Sequence, residues 1–261
     1  MPFLIVTDLD GSLLDHNDYS WSAAEPCLSR LIQMNIPIMF CTSKTRSEVH
    51  MLQVQMGLSG QPAICENGAI LLVEGKTKII SADCANLNYC EITQILDRIR
   101  AVYGLDFTGF HDVDTQQIMK WTNLPIESAR LAQERLASEP IIWQGTSLQF
   151  KQFQQCLEEY RLCLIQGGRF WHVMNIGSDK GAALSAFLQQ ERHQQRYWKT
   201  VGLGDSPNDL PLLEITNFAV VIRTGQSNGI ALSRKDLQNI YYSEYYGPKG
   251  WCQGIQHFLC Q

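Results

Sequence analysis

Two carboxylates two residues apart close a short apolar run: Asp8 and Asp10 end the stretch "FLIVTDLDG", with Gly11 behind them. Thr42 and Ser43 follow a second apolar run in "IPIMFCTSKTR", and Lys180 opens an amphipathic stretch in "GSDKGAAL". Asp205 and Asp209 follow a late apolar run in "VGLGDSPNDLPLL". Converging carboxylates repel one another unless a hard cation lies between them. Mg2+ suits the place, because it prefers oxygen ligands and bridges to substrate phosphates. With the cation and Lys180 beside it, Asp8 stays ionised and can attack phosphorus to give an aspartyl-phosphate. Asp10 can protonate the leaving alcohol and later deprotonate the attacking water. The Thr42 hydroxyl and the Lys180 ammonium would bind the oxygens on which charge spreads in the transition state. A helix start at Lys180 adds positive dipole to the same point.

Each feature also has a plainer reading. An Asp-x-Asp-Gly after a strand is often only a turn. Ser206 as N-cap, Pro207 at N1 and Asp209 at N3 form a capping-box-like helix start. An isolated lysine at a helix start is usually solvated, and a lone threonine after a strand is usually a helix cap. The chemical reading rests on the order of all four, each placed after its expected element.

Those elements must bring residues roughly 200 positions apart to one rim, which is what an open parallel sheet does at the carboxyl ends of its strands. Apolar runs predict strands at 3–7, 36–41, 63–65 with 70–73, 200–203 and 218–222, several apolar on both faces as buried parallel strands are. Ser22-x-x-Glu25 and Thr45-x-x-Glu48 read as capping boxes. The first leads into Leu28, Leu31 and Ile32, ending by Asn35; the second leads into Val49, Leu52 and Met56, with Gly57 as the stop. Asp179 caps a helix carrying Ala183, Leu184, Phe187 and Leu188. The alternation predicts an α/β, Rossmann-like, doubly wound parallel sheet core. Between about 84 and 175 the texture changes. Asn88-x-x-Glu91 opens a helix through Ile92, Ile95, Leu96, Ile99 and Val102 to Gly104, a second helix is expected over 127–137, and apolar pieces follow at 141–143, 162–166 and 170–174. The expected organisation is a core of 1–84 and 176–261 with an inserted α+β domain over 85–175.

A net charge of −5 without any basic run argues against a nucleic-acid partner. The nine cysteines include no C-x-x-C pair, an arrangement that fits neither a zinc site nor a secreted disulfide framework, so free thiols in a reducing cytoplasm are expected. The apolar start is too short for a signal peptide, and no run approaches the ~18 apolar residues of a membrane span. A cytoplasmic protein with a small-molecule substrate, and no membrane, nucleic-acid or obligate protein partner, is the expectation.

These motifs resemble those of the haloacid dehalogenase-like (HAD) phosphatase superfamily: "DLDGSLL" is similar to its first motif, Thr42 to its second, Lys180 to its third and "GDSPND" to its fourth. The resemblance implies Asp8 as nucleophile and Asp10 as acid/base. It implies Mg2+ held by Asp8, the Asp10 main-chain carbonyl and Asp205, with Asp209 bound directly or through water. The insertion falls where the superfamily carries C2-type caps. "CTSKTRSEV", "ICENGA", "SEPIIW", "GGRFWHVMN", "DKGAAL" and "GLGDSPNDLPLL" together resemble the mannosyl-3-phosphoglycerate phosphatase family, including Thr42-Ser43-Lys44 at the second motif. Leu136 and Ala137 depart from the larger or more polar residues expected there. By this resemblance Ser43, Lys44, Asn208 and the cap residues Glu139, Gly168, Arg169 and His172 contact a phosphosugar substrate, with Arg169 suited to a glycerate carboxylate. A related sugar phosphatase or phosphomutase is the near alternative. Receiver-type switch proteins also set acidic residues, a Thr and a Lys around Mg2+, but with the acidic pair adjacent and no inserted cap.

Overall fold

A computed structural model of the protein describes residues 1–81, 86–225 and 230–259. In chain order, the first part of the core comprises β1 (Phe3–Thr7), α1 (Glu25–Gln33), β2 (Ile38–Cys41), α2 (Arg46–Gln55), β3 (Ala63–Cys65), β4 (Ile70–Val73) and β5 (Lys76–Ile79). The insertion supplies α3 (Tyr89–Tyr103), β6 (Phe107–Gly109), α4 (Thr115–Thr122), α5 (Ile126–Gln133), β7 (Ser138–Trp143), α6 (Ser147–Glu159), β8 (Leu162–Gln166) and β9 (Trp171–Asn175). The chain returns to the core with α7 (Lys180–His193), β10 (Lys199–Gly204), α8 (Leu210–Ile215), β11 (Phe218–Arg223), β12 (Ile240–Tyr246) and α9 (Gly247–Leu259).

Among the described residues, the core sheet has eight strands in the order β12-β11-β10-β1-β2-β3-β4-β5. Side-chain alternation divides its apolar residues between two faces. Ile5, Phe40, Val201 and Val220 pack with Leu28 and Leu31 of α1, Val49 of α2 and Trp251 of α9. Leu4, Val6, Met39 and Ile64 pack on the opposite face against Ala183, Leu184 and Phe187 of α7 and Leu212 of α8. Helices therefore cover both faces, as the doubly wound reading requires. The sheet is parallel from β12 to β3, but β4 and β5 pair antiparallel at its edge. Glu74 (φ 50°) and Gly75 (φ 74°) allow this hairpin, since two consecutive positive φ values close a two-residue turn without a helical crossover.

The insertion builds a separate four-stranded antiparallel sheet, ordered β6-β7-β9-β8. Ile92, Leu96 and Ile99 of α3 and Phe153 and Leu157 of α6 bury one side of it with Phe107, Ile141 and Val173. Among the described residues four α-helices stand here where two were expected: α4 and α6 were not anticipated, and α4 and α5 form a hairpin around Ile118, Ala129 and Phe110. The expected boundary at 84/85 lies outside the described residues.

Local expectations fared unevenly. The capping boxes at Thr45 and Asn88 are formed, and Asp179 caps α7 by accepting from Ala182 N at 2.7 Å. The Ser22 box is not formed: α1 starts only at Glu25, with Ala24 at its N-cap and Pro26 in its first turn. Proline has no N–H to be capped and favours that position. Ile32 is 39% exposed, leaving Cys27, Leu28 and Leu31 as the buried stripe. Helix α5 stops at Gln133 rather than 137, because the amides of Leu136 and Ala137 donate to the Glu66 carboxylate at 2.8 and 3.1 Å. Cys27 and Cys252 are joined in a disulfide with Cα atoms 5.8 Å apart, where the sequence reading expected free thiols. They lie 225 residues apart and meet only because α1 and α9 cover the same sheet face. Among the described residues, no helix is long and apolar enough to cross a membrane.

The C-terminal helix secures the end of β1. Trp251, fully buried, donates its Nε1–H to Thr7 Oγ1 at 2.8 Å, and Thr7 donates in turn to the Asp8 carbonyl at 2.7 Å. Trp251→Phe is expected to lower stability in urea unfolding by about 1–2 kcal/mol, the cost of losing one buried hydrogen bond.

Candidate active site

Strand β1 leads straight into Asp8, and β10, hydrogen-bonded beside it in register Thr7↔Leu203, runs on to Asp205. The two strands therefore deliver both carboxylates to one edge. Oxygens of Asp8, Asp205 and Asp209 all lie within 4.8 Å of one another. Gly11, at φ +84°, makes the approach possible: a Cβ there would stand 2.5 Å from Asp205 Oδ2. Ser12 Oγ donates to Asp205 Oδ1 at 3.1 Å.

Lys180 lies fully buried beneath this cluster, its Nζ 2.6 Å from Asp8 Oδ1 and 2.5 Å from Asp209 Oδ1. Its place at the start of α7 is set by backbone contact. Residues 66–68 form a turn with three consecutive positive φ values, and a Cβ on Gly68 would sit 2.1 Å from the carbonyl of Asp179. Asp209 combines its structural and chemical readings: Oδ2 accepts from the amides of Asp205 and Ser206, each at 3.0 Å, while Oδ1 holds Lys180. Asn208 donates to Asn67 Oδ1 at 2.8 Å, which ties the 66–68 turn to the Asp205–Asp209 loop.

Burial pushes the Asp8 carboxyl up to about 7 against the pull of Lys180, with Asp209 and Asp10 adding to the rise. Asp205 is likewise raised well above the usual carboxylate range, by burial first and then by Asp8 and Asp209. Burial opposes the charge on Lys180, yet Asp209 and Asp8 hold its ammonium well above the ordinary lysine value. One buried ammonium among three carboxylates leaves the cluster short of positive charge. A hard divalent cation with oxygen preference fits that deficit.

Asp10 stands half-exposed above, its Oδ1 2.9 Å from Lys44 Nζ, which is also 3.8 Å from Glu48. Burial works against the Lys44 ammonium, but Asp10 and Glu48 hold it above its ordinary value. Thr42 is fully buried at the end of β2, its Oγ1 accepting from Lys44 N at 3.2 Å.

Asp8, Asp10, Ser43, Lys44, Asp205 and Asn208 line a cavity of about 460 Å³ whose other wall is the insertion's, with Pro140, Gly168, Arg169 and His172. Thr42, Lys180 and Asp209 lie behind this lining. Glu139 is not brought to the cavity. In β7 it pairs with Val173, which belongs to the helix-covered side, while Pro140 pairs with the cavity-lining His172. A one-residue step along a strand reverses the face. Glu139 instead accepts from His111 N at 2.8 Å. Burial, offset in part by that bond, raises its carboxyl to about 7. Burial, then Arg135 and Lys180, lower His172 to about 3, so its imidazole is neutral.

Several residues around the site escaped the sequence reading. Glu66, fully buried, accepts from Leu136 N, Ala137 N and Ser138 Oγ at 2.8, 3.1 and 2.8 Å. Arg135 donates to Ser138 O at 3.0 Å and to Ser43 O at 2.9 Å. These two side chains join the insertion to the loops around Lys44 and Lys180. Arg169 donates to Thr122 O at 2.5 Å and weakly to His16 O at 3.4 Å, and Tyr19 donates to the same Thr122 carbonyl at 2.9 Å. Arg223, Tyr246 and Gly247 line the cavity from the core side. Arg223 ends the 218–222 run, so the carboxyl-end rule held its signal.

The arrangement is that of a doubly wound α/β domain with acidic groups at the carboxyl ends of its strands and an inserted domain over them. A family model for haloacid dehalogenase-like hydrolases matches residues 5–235, and the chain belongs to that family. A Thermoplasma acidophilum protein of known structure is 18% identical with a TM-score of 0.68, over 100% of both chains. A haloacid dehalogenase-like hydrolase from Bacteroides thetaiotaomicron is 15% identical with a TM-score of 0.69, over 99% of this chain and 100% of that one. A HAD subclass IIB sugar phosphatase is 14% identical with a TM-score of 0.65, over 98% of each chain. At these identities the likeness is one of fold.

Two measurements probe the electrostatics. Lys180→Met is expected to cost about 3–5 kcal/mol in urea unfolding near neutral pH, because it strands two buried carboxylates. For Glu139, whose pKa rises from 4.5 to about 7 on folding, the folded state keeps a proton that the unfolded chain releases, so stability falls as pH rises through that window. Glu139→Gln should therefore gain stability relative to the parent as pH is raised from about 5 to about 8. Parallel pH curves would contradict this.

Proposed function

We propose that the protein is a Mg2+-dependent phosphomonoesterase of small phosphorylated sugar or glycerate metabolites, with mannosyl-3-phosphoglycerate as substrate and mannosylglycerate and phosphate as products. The observation that carries the reading is Asp8 on the cavity floor, with Lys180 Nζ 2.6 Å away and Asp10 two residues on. The family membership and the HAD subclass IIB sugar phosphatase of like fold support it.

Asp8, Asp205 and the Asp10 main-chain carbonyl are the groups that would hold the cation, with Asp209 beside them already engaged by Lys180 and two amides. When bound, Mg2+ supplies charge neutralisation and orientation for the phosphate. The Asp8 carboxylate attacks phosphorus as the ester oxygen leaves, and Asp10 gives that oxygen its proton. A water, deprotonated by Asp10, then attacks the same phosphorus and frees Asp8 with release of phosphate. Lys180 aims Asp8 and, together with the cation, would favour its ionised form. A phosphate entering the cavity competes with Asp10 for the Lys44 ammonium, which frees Asp10 to carry the proton. Ser43 completes the phosphate contacts, and the Thr42 hydroxyl behind it holds the Lys44 amide in place. Gly168, Arg169 and the neutral His172, whose Nδ1 has no hydrogen-bond partner among the described residues, meet the sugar portion. Glu139 has no part in this.

Phosphate release from a panel of phosphosugars, with mannosyl-3-phosphoglycerate included, tests the reading. Turnover should stop in excess EDTA and return with Mg2+. Asp8→Asn should lower kcat by at least about a thousandfold, and Asp10→Asn by about 10²–10⁴. Full activity in either Asp8→Asn or EDTA would refute the assignment.

A further inference from the structure

The cavity's cations differ in how their charge is met. Lys44 faces Asp10 and Glu48 at 2.9 and 3.8 Å, and Arg135 has Glu66 at 3.8 Å. Arg223, on the core wall, has no carboxylate within ion-pair reach among the described residues. Asp15 lines the same cavity, but its Oδ1 accepts from Asn17 N at 2.8 Å.

Arg223 is nonetheless held in place. Its amide donates to Ser243 Oγ at 2.9 Å, its Nη1 donates to the Glu244 carbonyl at 3.1 Å, and its guanidinium lies 5.0 Å from the centre of the Tyr246 ring. Most of its N–H donors remain without an acceptor among the described residues. Strand β11 sets it beside β10: Gly204 pairs with Val221, which brings the Arg223 end of β11 alongside the Asp205–Ser206 segment. An exposed guanidinium with free donors, braced by the Glu244 carbonyl and the Tyr246 ring, therefore lines the same cavity as Asp8 and Asp205. Arg169 is committed differently: one N–H on each of its Nη atoms goes to the carbonyl of Thr122 or His16, across the junction between the inserted domain and the core.

We propose that Arg223 is a second anion subsite that binds a carboxylate of the substrate. The protein is thereby selective for phosphorylated acids over neutral sugar or polyol phosphates. This rests on the phosphomonoesterase reading and adds to it a recognition group on the core rather than on the inserted domain. The planar fork of arginine matches the two oxygens of a carboxylate, which a lysine cannot do.

The test compares two ligands that differ only at that group: 3-phosphoglycerate and glycerol 3-phosphate. Binding is measured by titration calorimetry on the full chain carrying Asp8→Asn, so that neither ligand is consumed. The parent is expected to favour 3-phosphoglycerate at least tenfold. Adding Arg223→Gln should remove that preference by weakening 3-phosphoglycerate alone, and Arg223→Lys should restore it in part. Equal weakening of both ligands, or none, would overturn the subsite. Loss of the preference in Arg169→Gln but not in Arg223→Gln would overturn it as well. Because binding is read without turnover, a failed subsite remains distinguishable from a failed phosphatase reading, which phosphate release by the parent protein tests separately.

Discussion

A single ammonium buried between two carboxylates governs the site. Lys180 comes from the first turn of α7, Asp8 from the end of β1 and Asp209 from the turn before α8, and the three meet with essentially no solvent around them. Taking such charges out of water costs several kcal/mol each, so the arrangement holds only if every partner is in place. That demand explains much of the nearby backbone. Gly68 lets the 66–68 turn touch the start of α7 directly, and Gly11 lets Asp205 lean over the Asp8 loop. The cluster still carries more negative than positive charge, which is why Asp8 and Asp205 are pushed upward and why a divalent cation completes it.

The same turn that positions Lys180 also reaches the inserted domain. Glu66 is its first residue, and its carboxylate takes up two amides and a hydroxyl at the entry to β7. Arg135 adds a bond from that segment to Ser43 O, one residue before Lys44. Placement of the cavity's roof is thus tied by buried polar bonds to the loops that carry its floor. Polar networks of this kind favour one arrangement strongly, because any half-satisfied alternative leaves charges buried without partners. A substrate bound between the two parts would meet a preformed phosphate end and a roof whose position depends on the same residues.

Much of this was legible in the sequence, and the rest was not for identifiable reasons. Short two-faced apolar runs mark the parallel strands, and the carboxyl-end rule brings Asp8, Thr42, Lys180 and Asp205 to one edge from the sequence alone. Capping boxes at Thr45 and Asn88 were readable because their partners lie three residues away. Contacts across long separations were not. The Ser22 pattern lost to Pro26, α5 was cut short by Glu66 from 70 residues upstream, and Cys252 found Cys27 only through helix packing. Glu139 went astray because a motif match does not say which face of a strand a residue occupies. Arg223 was passed over because one arginine after an apolar run looks like any solvated strand end.

The central claim is that phosphorus passes through the Asp8 carboxylate. Rapid acid quenching during turnover, borohydride reduction and peptide mapping by mass spectrometry would test it most directly. The account predicts that residue 8 is recovered as homoserine, the reduction product of an aspartyl-phosphate, and that the product is absent without substrate. Steady turnover with residue 8 unmodified throughout, or with the modification at another carboxylate, would contradict it.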